Sequence, residues 1–358
     1  MLTVRFALLV AAVCLSAPAS AQQAVPRADY GARLEPKDRI LHGGGQDPAG
    51  FVQYWRVMGE GARPAFLMHY LQLRSVRDGS LAGLASELAG YEQDGVHLAV
   101  QIGLAMTEDG KPTSHYEGKV AAGEHDFNID ALCDELEVLG HPVLLRIGYE
   151  FNGTTWNGYR PKTYVEAFRR ITTKIRARKL EVATVWDAAG ELDHLQGVMD
   201  YYPGDEFVDW WGLNLFSGPK GSAISAFMFS KPIARFLDAA EQHGKPVLIG
   251  EATPRYTGVG AGQKSWDRWF GDFFELIARR PGIKAISYIN WDWSRFPQWR
   301  DWGEARLELD PVVAAKFRSI VSSPPYLSGG TEEVVRAALR LPREPSAEGS
   351  GEPGEGIR

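Results

Sequence analysis

Val143-Leu144-Leu145-Arg146-Ile147-Gly148-Tyr149-Glu150-Phe151-Asn152-Gly153 decides the fold. Residues 143–147 form an apolar run of strand length. A strand without a polar face is covered on both sides, which marks a parallel sheet wrapped by helices. Arg146 inside the run and Glu150 just past it need a reason, because an unpaired charge is costly to bury. In parallel α/β architectures the ends of the strands carry the chemistry. Glu150 is therefore a candidate catalytic carboxylate. Val247-Leu248-Ile249-Gly250-Glu251 repeats the grammar of apolar strand, glycine and glutamate, which makes Glu251 the second candidate.

Outward from this stretch, strand and helix patterns alternate along the chain. Strands are expected at 39–45, 64–73, 96–104, 143–147, 181–186, 207–216, 246–251 and 283–293. Helices are expected at 48–58, 81–91, 129–139, 162–179, 231–242, 265–279 and 311–321. Pro161 introduces one of them, and Gly140 and Gly244 end two others, as helix-terminal chemistry favours. A weak helical segment around 194–201 completes the series. Eight strand and helix alternations predict an α/β fold built as a single (β/α)8 TIM barrel. The expected organisation is a signal peptide at 1–21, a leader at 22–38, the catalytic barrel at 39–325, a helical extension at 326–341 and a disordered tail at 342–358 rich in Pro, Glu, Gly and Ser.

Arg5, the apolar segment 6–15 and Ala19-Ser20-Ala21 have the order of a secretory signal, with an apolar run too short to span a bilayer. Val13 before Cys14 does not suit lipoprotein cleavage. With the signal removed, Cys133 is the remaining cysteine, so neither an internal disulfide nor a thiolate metal cluster is expected. The net charge of −6 carries no nucleic-acid footprint. Gly43-Gly44-Gly45 lacks both the GxGxxG spacing and the P-loop lysine, no HExxH is present, and no GxSxG elbow follows a strand. His42 and His69 end neighbouring strands and, with Asp187, form the weak metal alternative; no metal and no cofactor are expected. Eleven Trp residues suit a cleft for flat sugar faces.

Hydrolysis of a glycosidic bond needs one carboxylic acid to protonate the leaving oxygen and one carboxylate to attack or to direct water. Glu150 and Glu251 supply that pair. Strands four and seven face each other obliquely across a barrel mouth, which suits the separation of roughly 5 to 5.5 Å of a retaining enzyme. Burial among Tyr149, Phe151 and Trp156 would keep Glu150 protonated, and Arg146 is the candidate cation for keeping Glu251 ionised.

Arg146-x-x-Tyr149-Glu150-x-Asn152-Gly153, Thr184-Val185-Trp186, the segment from Tyr201-Tyr202-Pro203-Gly204-Asp205 through Trp210-Trp211-Gly212-Leu213, and Gly250-Glu251 together resemble glycoside hydrolase family 26. That family comprises β-mannanases and related β-glycanases in a (β/α)8 clan with catalytic glutamates on strands four and seven. The resemblance spans roughly residues 40 to 321. It implies Glu150 as acid/base, Glu251 as nucleophile, Arg146 and Trp186 as matches to family residues, and Trp291 as the strand-eight sugar platform. Tyr149 stands where the family usually has His, and Phe216 stands where a Tyr hydroxyl commonly approaches the nucleophile.

The expected substrate-binding set is Arg146, Tyr149, Asn152, Trp156, Trp186, His69, Asn214 and Trp291. The function expected is a secreted or periplasmic, monomeric retaining hydrolase of a β-mannan or related β-glycan. Its partner would be a polysaccharide or oligosaccharide, with no nucleic acid and no membrane insertion. The alternatives are a glycosidase or transglycosylase of the producer's own exopolysaccharide and a non-catalytic carbohydrate-binding barrel.

Overall fold

The computed structural model describes residues 26–45, 47–107, 114–192 and 195–342. The expected signal peptide and all but the first residue of the expected tail lie outside the described residues. Eight parallel strands close a ring: β1 (Ile40–Gly44), β2 (Phe66–Gln72), β3 (Ala99–Ala105), β4 (Val143–Ile147), β5 (Val182–Ala189), β6 (Trp210–Leu215), β7 (Val247–Ala252) and β8 (Ile283–Tyr288). Each pairs with the next, and β1 pairs with both β8 and β2. The expected single (β/α)8 barrel is the fold observed. A two-residue strand, β9 (Tyr326–Leu327), adds beside β1.

Helices α1 (Pro48–Met58), α2 (Ala82–Gln93), α3 (Tyr116–Ala122), α4 (Asp126–Leu139), α5 (Pro161–Ala177), α6 (Leu195–Met199), α7 (Ile224–Met228), α8 (Lys231–Gln242), α9 (Gln263–Ser265), α10 (Gly271–Arg279), α11 (Pro311–Val321) and α12 (Glu332–Ala338) surround the ring or connect its strands. Their starts follow local chemistry. Asp47 and Asp310 accept backbone N–H groups at the first turns of α1 and α11, each followed by a proline whose missing N–H costs nothing there. Most expected elements shift by a few residues at their ends, and two differ in kind or by more. The helix expected at 265–279 breaks into α9, a π turn at Trp266–Phe270 and α10. The eighth strand stops at Tyr288 rather than 293, because beyond it the chain turns outward into the rim. Among the described residues no helix is long and apolar enough to cross a membrane.

Strand alternation sorts the barrel interior into layers. Leu41, Phe66, Ala99, Leu144, Val185, Trp210, Leu248 and Ala285 form an apolar lower layer, closed from below by Leu34 and by Val335 and Leu339 at α12. Two residues further along the same strands, the inward positions turn polar or vanish to glycine: Gln101, Arg146, Asp187 and Gly212. The outward row, including Leu145, Ile147, Trp186, Leu213 and Ile249, packs against the helices. The lower layer lets buried charges stand above it in one plane, facing the mouth at the C-terminal ends of the strands.

Candidate active site

Arg146 is the centre of that plane. Its inward position on β4 follows from Leu144 two residues before, and its guanidinium is fully buried. A buried cation must be paired. Arg146 Nη2 donates to Asp187 Oδ1 at 2.8 Å, to Glu251 Oε1 at 2.8 Å and to Asn214 Oδ1 at 3.1 Å. Burial by itself would lower its pKa; Asp187 and Glu251 overcome that and hold it well above the ordinary value, so the cation is permanent. Asp187 is likewise fully buried, and its pKa is raised by burial against the opposing pull of Arg146. It also accepts the Glu150 backbone N–H at 3.3 Å, linking the end of β5 to the turn after β4.

Two glycines make room for this network. A Cβ on Gly212 would lie 2.4 Å from Asp187 Oδ2, and one on Gly250 would lie 2.7 Å from Asp187 Oδ2 and 2.8 Å from Arg146 Nε. Gly250 is also an extra residue in the β6/β7 ladder: Leu213 pairs with Ile249, and Asn214 with Glu251. Strict alternation from Leu248 would turn Glu251 toward the helices. The bulge re-aims it into the mouth. Gln101 Nε2 donates to the Gly250 carbonyl at 2.8 Å and fixes the bulge from β3.

Glu150 leaves β4 through a left-handed turn, with φ of 57° at Gly148 and 52° at Glu150 itself. A non-glycine residue held there is strained, and such positions gather at functional sites. Asn157 Nδ2 donates to the Tyr149 and Glu150 carbonyls at 2.9 and 3.0 Å and holds the turn. The Glu150 carboxyl accepts Trp156 Nε1–H at 2.8 Å on one oxygen and Asn214 Nδ2–H at 2.9 Å on the other. One face stays open to the cleft while protein surrounds the rest. Burial, then the negative charge of Glu251, push its pKa from 4.5 up to about 8, against the lowering effect of the Asn214 amide. Asn214 thus ties the two glutamates together, accepting from the arginine that holds Glu251 and donating to Glu150.

Glu150 and Glu251 line one cleft of about 570 Å³ with Tyr70, Tyr149, Trp156, Asn157, Glu191, Phe216, Arg255, Trp293, Trp299 and Trp302. Arg255 lies 4.9 Å over the Trp302 ring and pairs with Glu191 at 2.6 Å, joining the β7 and β5 loops across the rim. Of the expected residues, the structure brings Glu150, Glu251, Arg146, Tyr149, Trp156 and Asn214 together. Tyr149 lies under the Arg146 guanidinium at 5.0 Å, and Trp156 is 46% exposed at the edge of the cleft.

The other expected residues lie elsewhere. Trp186 alternates outward, stacks on Phe151 at 4.5 Å and donates to the Tyr201 carbonyl, so it serves the helix layer. Asn152 exchanges hydrogen bonds with the Ala189 backbone at 2.7 and 3.1 Å and ties the β4 turn to the end of β5. Trp291 stacks on Phe296 at 4.3 Å with its indole N–H on Asp47, and Trp293 rather than Trp291 lines the cleft. His69 shares its row with Leu67 and Leu71, outside the barrel. His42 is fully buried beside Tyr54 at 3.3 Å, so His42, His69 and Asp187 do not converge. The expectation missed Tyr70, which has the parity of Phe66 and Met68, and the aromatic rim of Trp299 and Trp302.

Among the described residues, Glu92, His97 and His141 come together at the opposite, N-terminal face. Their imidazoles stack with centroids 4.3 Å apart and planes 8° from parallel, so the in-plane lone pairs do not converge on a point. His97 Nδ1 lies 3.0 Å from Glu92, and His141 Nδ1 lies 2.8 Å from the Leu98 carbonyl. The group is a hydrogen-bonded cluster.

No protein-family profile matches the chain. A β-1,3-xylanase of a Vibrio species is 29% identical over 331 aligned residues, covering 84% of this chain and 68% of that protein. A β-1,3-xylanase of an Alcaligenes species is 27% identical, with 84% and 67% covered. Among solved structures, a GH26 β-mannanase from Bacteroides ovatus superposes with a TM-score of 0.59 at 19% identity, covering 83% of this chain and 92% of that one. A Cellulomonas fimi endo-β-1,4-mannanase gives 0.61 at 17%, covering 85% and 77%. At those identities the likeness is one of fold. The chain is a closed (β/α)8 barrel with the fold of the GH26 β-mannanases, and its sequence is similar to two β-1,3-xylanases.

Proposed function

We propose that the chain is a secreted retaining β-glycanase, with Glu150 as acid/base and Glu251 as nucleophile, and that its substrate is a β-1,3-linked xylan. The observation that carries the chemistry is the opposite setting of two carboxyls in one cleft. Glu150 is pushed up to about 8 and keeps its proton at neutral pH, while Glu251 sits on a permanent cation at 2.8 Å. Pairs whose surroundings drive them apart in this way divide the roles of acid and nucleophile.

In the first step Glu150 gives its proton to the glycosidic oxygen as the bond from that oxygen to the anomeric carbon breaks. A Glu251 oxygen forms a bond to the same carbon. In the second step Glu150 takes a proton from water, the water oxygen bonds to the anomeric carbon, and the bond to Glu251 breaks. The xylan assignment follows the two relatives, both named β-1,3-xylanases over 84% of this chain, whereas the mannanases share the fold alone. The expected secretory signal supports secretion.

Incubation with β-1,3-xylan, β-1,4-xylan, β-mannan and β-1,3-glucan, read by reducing-end release and by the anomer first formed, tests the proposal. β-1,3-Xylan is expected to be cleaved fastest, with retention. Faster release from mannan would overturn the substrate, an inverted product the mechanism, and binding without release the activity. Glu150→Ala is expected to lose polysaccharide activity far more than activity on aryl glycosides with good leaving groups, which need no acid.

A further inference from the structure

The catalytic pair has a third polar neighbour. Tyr70 ends the inward row Phe66, Met68, Tyr70 on β2 and lines the cleft beside Glu251. Its ring meets Tyr149 edge-on at 5.5 Å, and Tyr149 in turn carries the Arg146 cation. On the neighbouring strand a Cβ at Gly103 would come within 2.7 Å of the Tyr70 ring, so the seat for this ring exists because β3 has glycine there. The hydroxyl lies 2.8 Å from Met68 Sδ and hydrogen-bonds Glu251. A thioether is a weak acceptor and a carboxylate a strong one, so the proton is directed to Glu251. At the same rim Phe216 offers no donor.

We propose that Tyr70 is a positioning residue that holds Glu251 from the β2 side and stabilises it as the departing carboxylate when the glycosyl-enzyme is hydrolysed. The inference rests on the double displacement proposed above. Arg146 grips one oxygen from below; the Tyr70 hydroxyl, reaching from across the mouth, fixes the rotation of the carboxylate that this single contact leaves free. In the covalent intermediate the Glu251 oxygens carry little charge, and charge returns to them as the bond to the sugar breaks. A donor already in place stabilises that return without reorganising.

Tyr70→Phe removes the hydroxyl and keeps the ring. With a dinitrophenyl glycoside, whose departure needs no acid, the variant is expected to show kcat lowered about 10- to 100-fold, the range for losing a hydrogen bond to a charged group. KM should fall with it, and a burst of dinitrophenol should appear, because the second step has become limiting. Met68→Leu, which removes the thioether alone, should change none of these. A loss of kcat/KM without a burst and with KM not lowered would show a packing role and overturn the inference, as would unchanged kinetics. Labelling by a 2-fluoro glycoside, located by peptide mass, separates the two layers. Failure to label Glu251 in the wild-type enzyme would overturn the double displacement, whereas labelling with equal turnover in both proteins would overturn Tyr70 alone.

Discussion

The protonation of Glu150 can be measured where it sits, because Trp156 donates its indole N–H to that carboxyl at 2.8 Å and is half-exposed. Trp156 fluorescence is expected to titrate with a midpoint near that of Glu150, about 8, and the alkaline limb of kcat/KM should fall at the same pH. Glu251→Gln removes the second of the two main causes of that shift. At the separation of roughly 5 to 5.5 Å of a retaining pair and an effective dielectric of about 20, one charge is worth about 3 kcal/mol, or about 2 pH units, and water in the cleft reduces it. The fluorescence midpoint of Glu251→Gln should therefore fall from about 8 by roughly 1 to 2 units while staying above the ordinary carboxyl range, since burial, the larger cause, remains. Glu150→Gln should abolish the transition. A midpoint that persists in Glu150→Gln, or that is unmoved in Glu251→Gln, would refute the electrostatic account of the pair.

Stability should carry the same signature. Folded Glu150 binds its proton more tightly than unfolded Glu150, so the fold loses stability as pH rises from about 4.5 to about 8 and no more beyond. The full shift is worth about 5 kcal/mol at 1.36 per unit, and solvent at the open face leaves about 2. Calorimetry should find Glu150→Gln melting several degrees above wild type at pH 9 and level with it at pH 4; the reverse order would count against a proton-holding carboxyl. Gly250→Ala drives a Cβ into Asp187 and Arg146, so both Tm and kcat should drop, with about 1 to 3 kcal/mol of overpacking, and wild-type behaviour would dismiss the bulge argument. Arg146→Met strands two buried carboxylates, for which about 3 to 5 kcal/mol of destabilisation and loss of turnover are expected by thermal melting and assay. Trp186→Phe should lower Tm with kcat kept, whereas Trp299→Ala should raise KM with Tm kept; an exchange of these outcomes would contradict the placement of the two rings.

Strands buried on both faces were legible because they leave no alternation to misread, and β4 matches its expected limits residue for residue. Both glutamates were legible because a charged residue that ends an apolar run needs a reason to be there. What the residue string does not display is parity once the backbone departs from regular geometry. Glu251 points inward through a bulge at Gly250, which a straight strand would forbid. The opposite holds for Trp186 and His69, whose strands are regular. Counting by twos from Val185 or Phe66 sends both outward, and family likeness in one case and chemical suggestiveness in the other masked that count. Trp291 and Trp293 could not be separated in advance, because β8 ends at Tyr288 and the rim follows its own turns. Helices α3 and α7 are short and were not expected, since seven and five residues hold too little periodicity to register.

Under the double displacement proposed above, the charges of the site also account for one carboxyl serving as acid and then as base. In the free enzyme Arg146 faces two buried negative groups, Asp187 and Glu251, so the mouth already carries an excess negative charge, and a further one on Glu150 is resisted. Under the proposed double displacement, esterification of Glu251 removes its charge at the moment Glu150 gives up its proton. The new Glu150 carboxylate then stands over a site in which Arg146 answers Asp187 alone. The Asn214 and Trp156 N–H groups already aimed at its oxygens favour the charged form. Glu150 therefore becomes less acidic or more acidic according to the covalent state of its partner, without any residue moving. When water attacks and Glu251 regains its charge, the resistance returns and the proton taken from water is held for the next cycle.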